Sequence, residues 1–389
     1  MPVKNRFADL HAALTEMRRD FHQHPELSYE EHRTAGIVAA KLREFGCDEV
    51  VEGIGRTGVV GVIRGRSTAS GRVVGLRADM DALPIHEATG AAHASQTPGK
   101  MHACGHDGHT VMLLGAAQYL AETRAFDGTA VVIFQPAEEG GAGGRAMVED
   151  GLMDRFDIHE VYGLHNMPGL PAGEFAIRAG AMLASADEFS ITVTGRGGHA
   201  GMPHNAIDTT LVASHIVVAL QSIVSRNADP LGSIVVTVGS FHTDSTASNV
   251  IANEVRLQGT VRCLDPALRD LAEERIKALV PATALAYGAS VDLRYERGYP
   301  VTINAPENTE HAAAAAQAVA GGIDRNARPI MPAEDFSFML EARPGAYIFL
   351  GNGDTAMVHH PAYDFDDNAI PAGSSWYAGM IEARMPLPA

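Results

Sequence analysis

Met101-His102-Ala103-Cys104-Gly105-His106-Asp107-Gly108-His109 gathers one thiol, three imidazoles and one carboxylate into nine residues. Thiolates and neutral imidazoles are ligands for zinc and related divalent ions. Two glycines free the backbone to bend, so neighbouring side chains can aim at a common centre. Cys104 and His106 stand two apart, and on extended backbone such residues share a face. The competing reading is a polar loop that leads into a helix. The choice between them rests on the rest of the chain.

The same kind of residue recurs at the ends of apolar runs. Residues 58–64 and 73–78 read as strands, and the second runs into Asp79-Met80-Asp81-Ala82-Leu83-Pro84. Residues 130–134 form another short buried strand and end in Gln135-Pro136-Ala137-Glu138-Glu139-Gly140-Gly141. Adjacent residues on extended backbone point opposite ways, so one of Glu138 and Glu139 can bind metal while the other faces substrate. Residues 161–164 form a further strand, with His165-Asn166 at its end. Helical periodicity fills the intervals, over residues 10–21, 34–45 and 110–119. Alternating β and α elements predict an α/β domain, and such sheets converge strand-end residues on one rim.

Composition shifts near residue 184. Strands at 188–194, 233–240, 250–262 and 291–295 and helices at 207–224 and 266–287 follow in the order β-α-β-β-α-β, that of a ferredoxin-like domain. The chain then returns to its earlier style, with an alanine-rich helix at 310–320 beside Gly321-Gly322, a strand at 347–350 and a final helix. The expected organisation is an α/β domain formed by residues 1–183 and 299–389, interrupted by an inserted α+β domain at 184–298.

With 389 residues, two domains are expected. The formal net charge of -17 argues against nucleic acid or an anionic membrane as partner, because both demand basic patches. Cys47, Cys104 and Cys263 are too few and too scattered for a disulfide framework, which points to a reducing, cytoplasmic setting. No signal-peptide core occupies the first twenty residues, and no run is expected to reach membrane-spanning length.

The stretches DMDALP, MHACGHDGH, PAEEG, GLHN, GRGGHAGMPH and HHPAYDF, from Asp79 to Phe365, together resemble the metal-dependent amidohydrolase and carboxypeptidase family, in its hippurate hydrolase and indole-3-acetyl-amino acid hydrolase-like group. The resemblance implies a zinc-peptidase-like catalytic domain and a ferredoxin-like lid that also dimerises. It implies two divalent metal ions per subunit, zinc, manganese, nickel or cobalt, held by Cys104, His106, Glu139, His165 and His359. His359 is preferred to His360 because it falls in the HxP register. Glu138 matches the general base, and Asp81 a carboxylate that orients a metal ligand. Asp79 stands where more distant relatives have a metal-binding histidine. His199 and Asn249, in the lid, match residues that reach the substrate, His199 across the interface of a homodimer or homotetramer. His102 and His109 are expected to support the ligands.

These residues suit hydrolysis of N-acyl-amino acids. A metal pair lowers the pKa of bound water from ~15.7 towards 7, Glu138 moves the proton, and His199 donates to the oxyanion. Rival readings are a deacetylase of a biosynthetic intermediate such as N-acetyl-diaminopimelate, and a silent binding protein of the same fold. A redox role for Cys104 is disfavoured, since no resolving cysteine lies nearby.

Overall fold

The computed structural model describes residues 5–320 and 322–388, so Gly321 lies outside it. The chain forms two compact units. The first takes the chain up to Met182, Ile303–Arg328 and everything from Asp335; the second takes Leu183–Thr302 and Pro329–Glu334. The second unit thus extends past the expected insertion at 184–298, adding Leu183, residues 299–302 and residues 329–334.

The first unit is built on an eight-stranded sheet. From one edge its strands are Glu49–Ile54, Gly58–Arg64, Thr129–Gln135, Val73–Asp79, Glu160–Met167, Gly345–Gly351, Phe175–Ala176 and Ile323–Asp324. The central four run parallel, and nearly every residue in them is buried. Such strands read as continuous apolar runs because helices and loops cover both faces. Alternation still sorts their side chains. Val74, Leu76, Ala78, Val132, Phe134, Ile348 and Leu350 join one core cluster with the helices His106–Thr123 and Ile370–Arg384. Arg77 and Gln135 lie out of phase with that set, as the period of two requires. The C-terminal ends of the parallel strands deliver Asp79, Gln135, His165 and Gly351 to one rim, where sheets of this class bind ligands.

Three local expectations change. His106 opens the helix His106–Thr123, so the segment around it is not extended. His165 and Asn166 lie inside the strand Glu160–Met167 rather than past its end. Glu49–Ile54 is a further edge strand, whose glutamates and glycine hide any apolar run.

The second unit carries a four-stranded antiparallel sheet in the order Ile234–Thr243, Glu254–Cys263, Ser185–Thr194, Ser290–Arg297. With helices Thr209–Ser222 and Pro266–Ala286 this is the β-α-β-β-α-β arrangement read from the sequence. Val212, Ile216, Leu220, Ile276 and Val280 seal its separate core. The strand expected at 250–262 is broken: Val250–Ile251 leaves to pair with Gly198–His199. Contrary to expectation, one helical stretch among the described residues, Thr209–Asn227, is long and apolar enough to cross a membrane. Its Val212, Ala213, Ile216 and Leu220 face the unit's own core.

A buried polar cluster ties the first helix, Asn5–Gln23, to the rim. His22 Nδ1 lies 2.8 Å from Asp107 Oδ2 and Nε2 lies 3.3 Å from Glu87 Oε1, while Arg18 Nε donates to Asp367 at 2.7 Å. Burial opposes a charge on His22, yet hydrogen bonds to Asp107 and Glu87 raise its pKa to about 9 from 6.5. Burial likewise opposes charge on Glu87, and bonds from His22, Thr89 and Ser95 take it from 4.5 down to about 2. The His22 contribution to stability is complete below pH 6.5 and disappears as pH rises through about 9. That of Glu87 is complete above 4.5 and disappears as pH falls towards 2. Denaturant titrations of the wild type and a His22→Gln variant are therefore expected to show a stability difference that is largest below pH 6.5 and shrinks by on the order of 2 kcal/mol by pH 9 or above.

Candidate metal centre

Gly105 has φ +86, a left-handed conformation that precedes the helix at His106. This turn, not an extended segment, brings Cys104 and His106 to one place. A side chain at Gly105 is excluded twice over. An added Cβ would stand 2.4 Å from both Asn166 Nδ2 and the Tyr363 hydroxyl, and left-handed backbone is costly for any residue with a Cβ.

His106 Nδ1 donates to the Asp81 backbone carbonyl at 2.9 Å, with Asp81 Oδ1 at 3.3 Å. Its Nε2 is buried and has no hydrogen-bond partner among the described residues, with Asp79 Oδ2 3.7 Å away. A proton fixed on Nδ1 leaves the Nε2 lone pair free for a ligand, as in metal-binding histidines. His165 is arranged alike, with Nδ1 donating to the Asn166 carbonyl at 2.6 Å and Nε2 lying 3.4 Å from Cys104 Sγ.

Asp81 organises the opposite loop. Its Oδ1 accepts the Glu138 backbone N–H and its Oδ2 the Glu139 N–H, each at 3.0 Å. Ser28 Oγ adds a third donor at 2.9 Å. His359, in a left-handed conformation with φ 66, is tethered by its own N–H to the Ala103 carbonyl at 2.7 Å. Its Nε2 lies 3.1 Å from Glu139 Oε1. The neighbouring His360 is exposed, and its Nδ1 accepts from the Ala362 N–H at 3.0 Å.

Donor atoms of Cys104, His106 and His165 lie within 4.8 Å of one another; so do those of Cys104, Glu139 and His359, and those of His106, Glu138 and Glu139. Six residues named from the sequence thus meet in the first unit. Their electrostatics favour a cation. Burial, then Glu139, Glu138 and Asp79, push the Cys104 thiol well above its ordinary range. Burial opposes a charged His106, but Asp79, Asp81 and Glu139 raise it to about 10. Without a cation this pocket holds on to protons. The donor set therefore fits divalent metal, with a thiolate and imidazoles beside carboxylates.

Asp79 and His109 are otherwise engaged. Asp79 Oδ1 accepts from His109 Nδ1 at 2.6 Å and Oδ2 from Arg77 at 2.7 Å. His109 Nε2 accepts from the Asn166 backbone N–H at 3.0 Å, which occupies its remaining nitrogen. Both ring nitrogens of buried His102 lack a hydrogen-bond partner among the described residues, and burial lowers its pKa to about 4. Arg77 and Asp335 were not among the residues read as functional. Arg77 is fully buried and also reaches Gln135 at 2.8 Å and Asp335 at 3.0 Å. A charged residue inside the buried run Val73–Asp79 was the available signal.

His199 and Asn249 belong to the second unit. His199 sits in the short ladder with Val250–Ile251, and the Ala200 N–H donates to the Asn249 carbonyl at 3.0 Å. The Gly201 N–H donates to His199 Nδ1 at 3.0 Å, which leaves the proton on Nε2. Both side chains are exposed.

Residues 75–383 match the family model Peptidase family M20/M25/M40. The chain belongs to this family, and the resemblance read from its motifs is borne out. It is 44% identical over 372 residues to hippurate hydrolase of Campylobacter jejuni, covering 95% of this chain and 96% of that enzyme. An N-acetylcysteine deacetylase of Bacillus subtilis is 38% identical, with 95% and 96% covered. Among solved structures, the Bacillus subtilis YXEP protein, a dinuclear metal-binding peptidase of the M20 family, matches with a TM-score of 0.85 and 32% identity over 97% of this chain and 99% of that one. The chain is thus an enzyme of amide hydrolysis.

A Gly105→Ala variant is expected to lose at least about 1–2 kcal/mol of stability from its backbone conformation alone. The clash with Asn166 and Tyr363 adds to that loss. Thermal unfolding reads the stability, and bound metal in the folded fraction is expected to fall with it.

Proposed function

We propose that the protein hydrolyses the amide bond of N-acyl-amino acids, with two divalent metal ions held by Cys104, His106, Glu139, His165 and His359. The observation that carries this reading is the overlap of three donor groups, Cys104, His106 and His165; Cys104, Glu139 and His359; and His106, Glu138 and Glu139, each with its donor atoms within 4.8 Å of one another. Bound there, divalent ions supply Lewis acidity and make water a nucleophile near neutral pH.

The chain's own residues do the rest. Glu138 is buried, and its backbone is held by Asp81. It takes the proton of the attacking water and passes it to the nitrogen of the leaving amino acid, so one carboxylate serves as base and then acid. Glu139, committed to metal, is unavailable for that work. Asp81 fixes the His106 ring and both glutamate backbones. His199 offers its Nε2 proton to the oxyanion from the inserted unit of a second protomer, in a homodimer or homotetramer. Asn249 binds the rest of the substrate from the same unit. We place Asp79 behind the ligands rather than on metal, with its Oδ1 bound to His109 and its Oδ2 to Arg77.

Hippurate and N-acetyl-amino acids are the substrate class we favour, supported by the hippurate hydrolase and N-acetylcysteine deacetylase relatives. Zinc, manganese, cobalt and nickel are the candidate ions; a thiolate ligand favours the softer ones. Three free cysteines suit a cytoplasmic setting.

The test is hydrolysis of an acyl-amino acid panel by metal-stripped protein after Zn²⁺, Mn²⁺, Co²⁺ or Ni²⁺ is restored. Amino acid release that depends on metal is expected, and Glu138→Gln is expected to lower kcat by on the order of 100-fold or more while metal stays bound. Activity that survives metal removal, or Glu138→Gln, contradicts the reading. A His199→Ala variant is expected to lose roughly 100-fold in kcat, as for one oxyanion donor.

A further inference from the structure

Glu31 occupies the N-cap position of helix His32–Glu44 but makes no capping bond to it. Glu26 does that work instead, accepting the N–H groups of Arg33 at 2.9 Å and Thr34 at 2.8 Å. The Glu31 carboxylate, fully buried, turns the other way. Its Oε1 accepts the N–H of Ala137 at 2.9 Å and that of Tyr29 at 3.0 Å, and its Oε2 accepts the Thr57 hydroxyl at 2.6 Å. None of these donors is a cation. A buried carboxylate served only by neutral donors is a costly way to fill space, and an apolar side chain would do that better.

Its target is the residue before Glu138. Ala137 has φ 52, a left-handed conformation unusual for a residue with a Cβ. Such conformations persist only where surrounding contacts over-determine them. Here three successive N–H groups, of residues 137, 138 and 139, end on two buried carboxylates: Glu31 takes the first and Asp81 the next two. Neighbours of Glu31 grip the same loop. The Tyr29 hydroxyl donates to the Gly141 carbonyl at 2.7 Å, and Ser28 Oγ approaches the Glu139 carbonyl at 3.3 Å.

We propose that Glu31 is a positioning residue for the reaction: it holds Ala137 in its strained conformation and thereby sets where the Glu138 carboxylate stands. Tyr29 secures the far end of the same loop. The proposal rests on the reading of Glu138 as general base. Misplacement of a catalytic group by an ångström costs on the order of 100-fold, so a clamp one residue from the base is well placed to govern kcat.

The test compares metal-reconstituted wild type, Glu31→Ala, Glu31→Gln and Glu138→Gln on whichever acyl-amino acid the wild type turns over. Glu31→Ala is expected to lower kcat by about 10- to 100-fold with KM changed less than about 2-fold. Bound metal is expected to stay at the wild-type level. Glu31→Gln keeps an acceptor oxygen for the two N–H groups and is expected to recover most of the lost kcat. Wild-type kcat in folded Glu31→Ala overturns the proposal, and so does a loss that Glu31→Gln shares in full. If Glu31→Ala does not fold, Tyr29→Phe decides: a several-fold fall in kcat at unchanged KM supports the clamp, and no change refutes it. If Glu138→Gln stays active, the base assignment has failed; if it is inactive while the Glu31 variants match wild type, only the clamp has.

Discussion

One buried carboxylate holds the site together. Asp81 receives the backbone N–H groups of Glu138 and Glu139, the hydroxyl of Ser28 and the ring of His106. A carboxylate has about four lone-pair directions, and here protein groups take them all. These donors arise at the first helix turn of residue 106, at the loop after strand Thr129–Gln135 and near the N-terminal helix. The relative placement of a metal-type imidazole and the two glutamates thus depends on one side chain. Any ligand that binds between them meets a preformed frame.

The second constraint is charge. Asp79, Asp81, Glu138 and Asp335 are buried, and Arg77 touches both Asp79 and Asp335. The remaining negative charge raises the affinity of His106 and Cys104 for protons. Burying uncompensated charge is expensive, and groups respond by neutralising one another or by recruiting a cation. Without a cation, the thiol and the imidazolium are the forms this pocket favours.

Much of this was legible in the sequence because the sheet collects its chemistry in short loops. Asp79 to Asp81, Cys104 to His106 and Glu138 to Glu139 are each local patterns beside an apolar strand. What was not legible is long-range or conformational. Arg77 meets Asp335 across 258 positions, and Glu31 meets Ala137 across 106, with no periodicity to announce either pairing. Gly105 reads as a flexible point, whereas its left-handed φ and the atoms packed on it are what converge Cys104 and His106. His165 looked like a strand-end residue, but the parallel strand Gly345–Gly351 continues alongside it and extends the ladder. The order β-α-β-β-α-β survived into the second unit because each of its helices hides one apolar face on one sheet.

We propose that the frame set by Asp81 surrounds two divalent ions and that Asp79 and His109 stand behind them. Anomalous diffraction at the zinc edge, from crystals of the zinc-loaded protein, tests it most directly. Two peaks are expected, contacted by Cys104, His106, Glu139, His165 and His359, with Asp79 still bound to Arg77 and His109. No peak in this pocket, or a peak ligated by Asp79 or His109, would contradict the account.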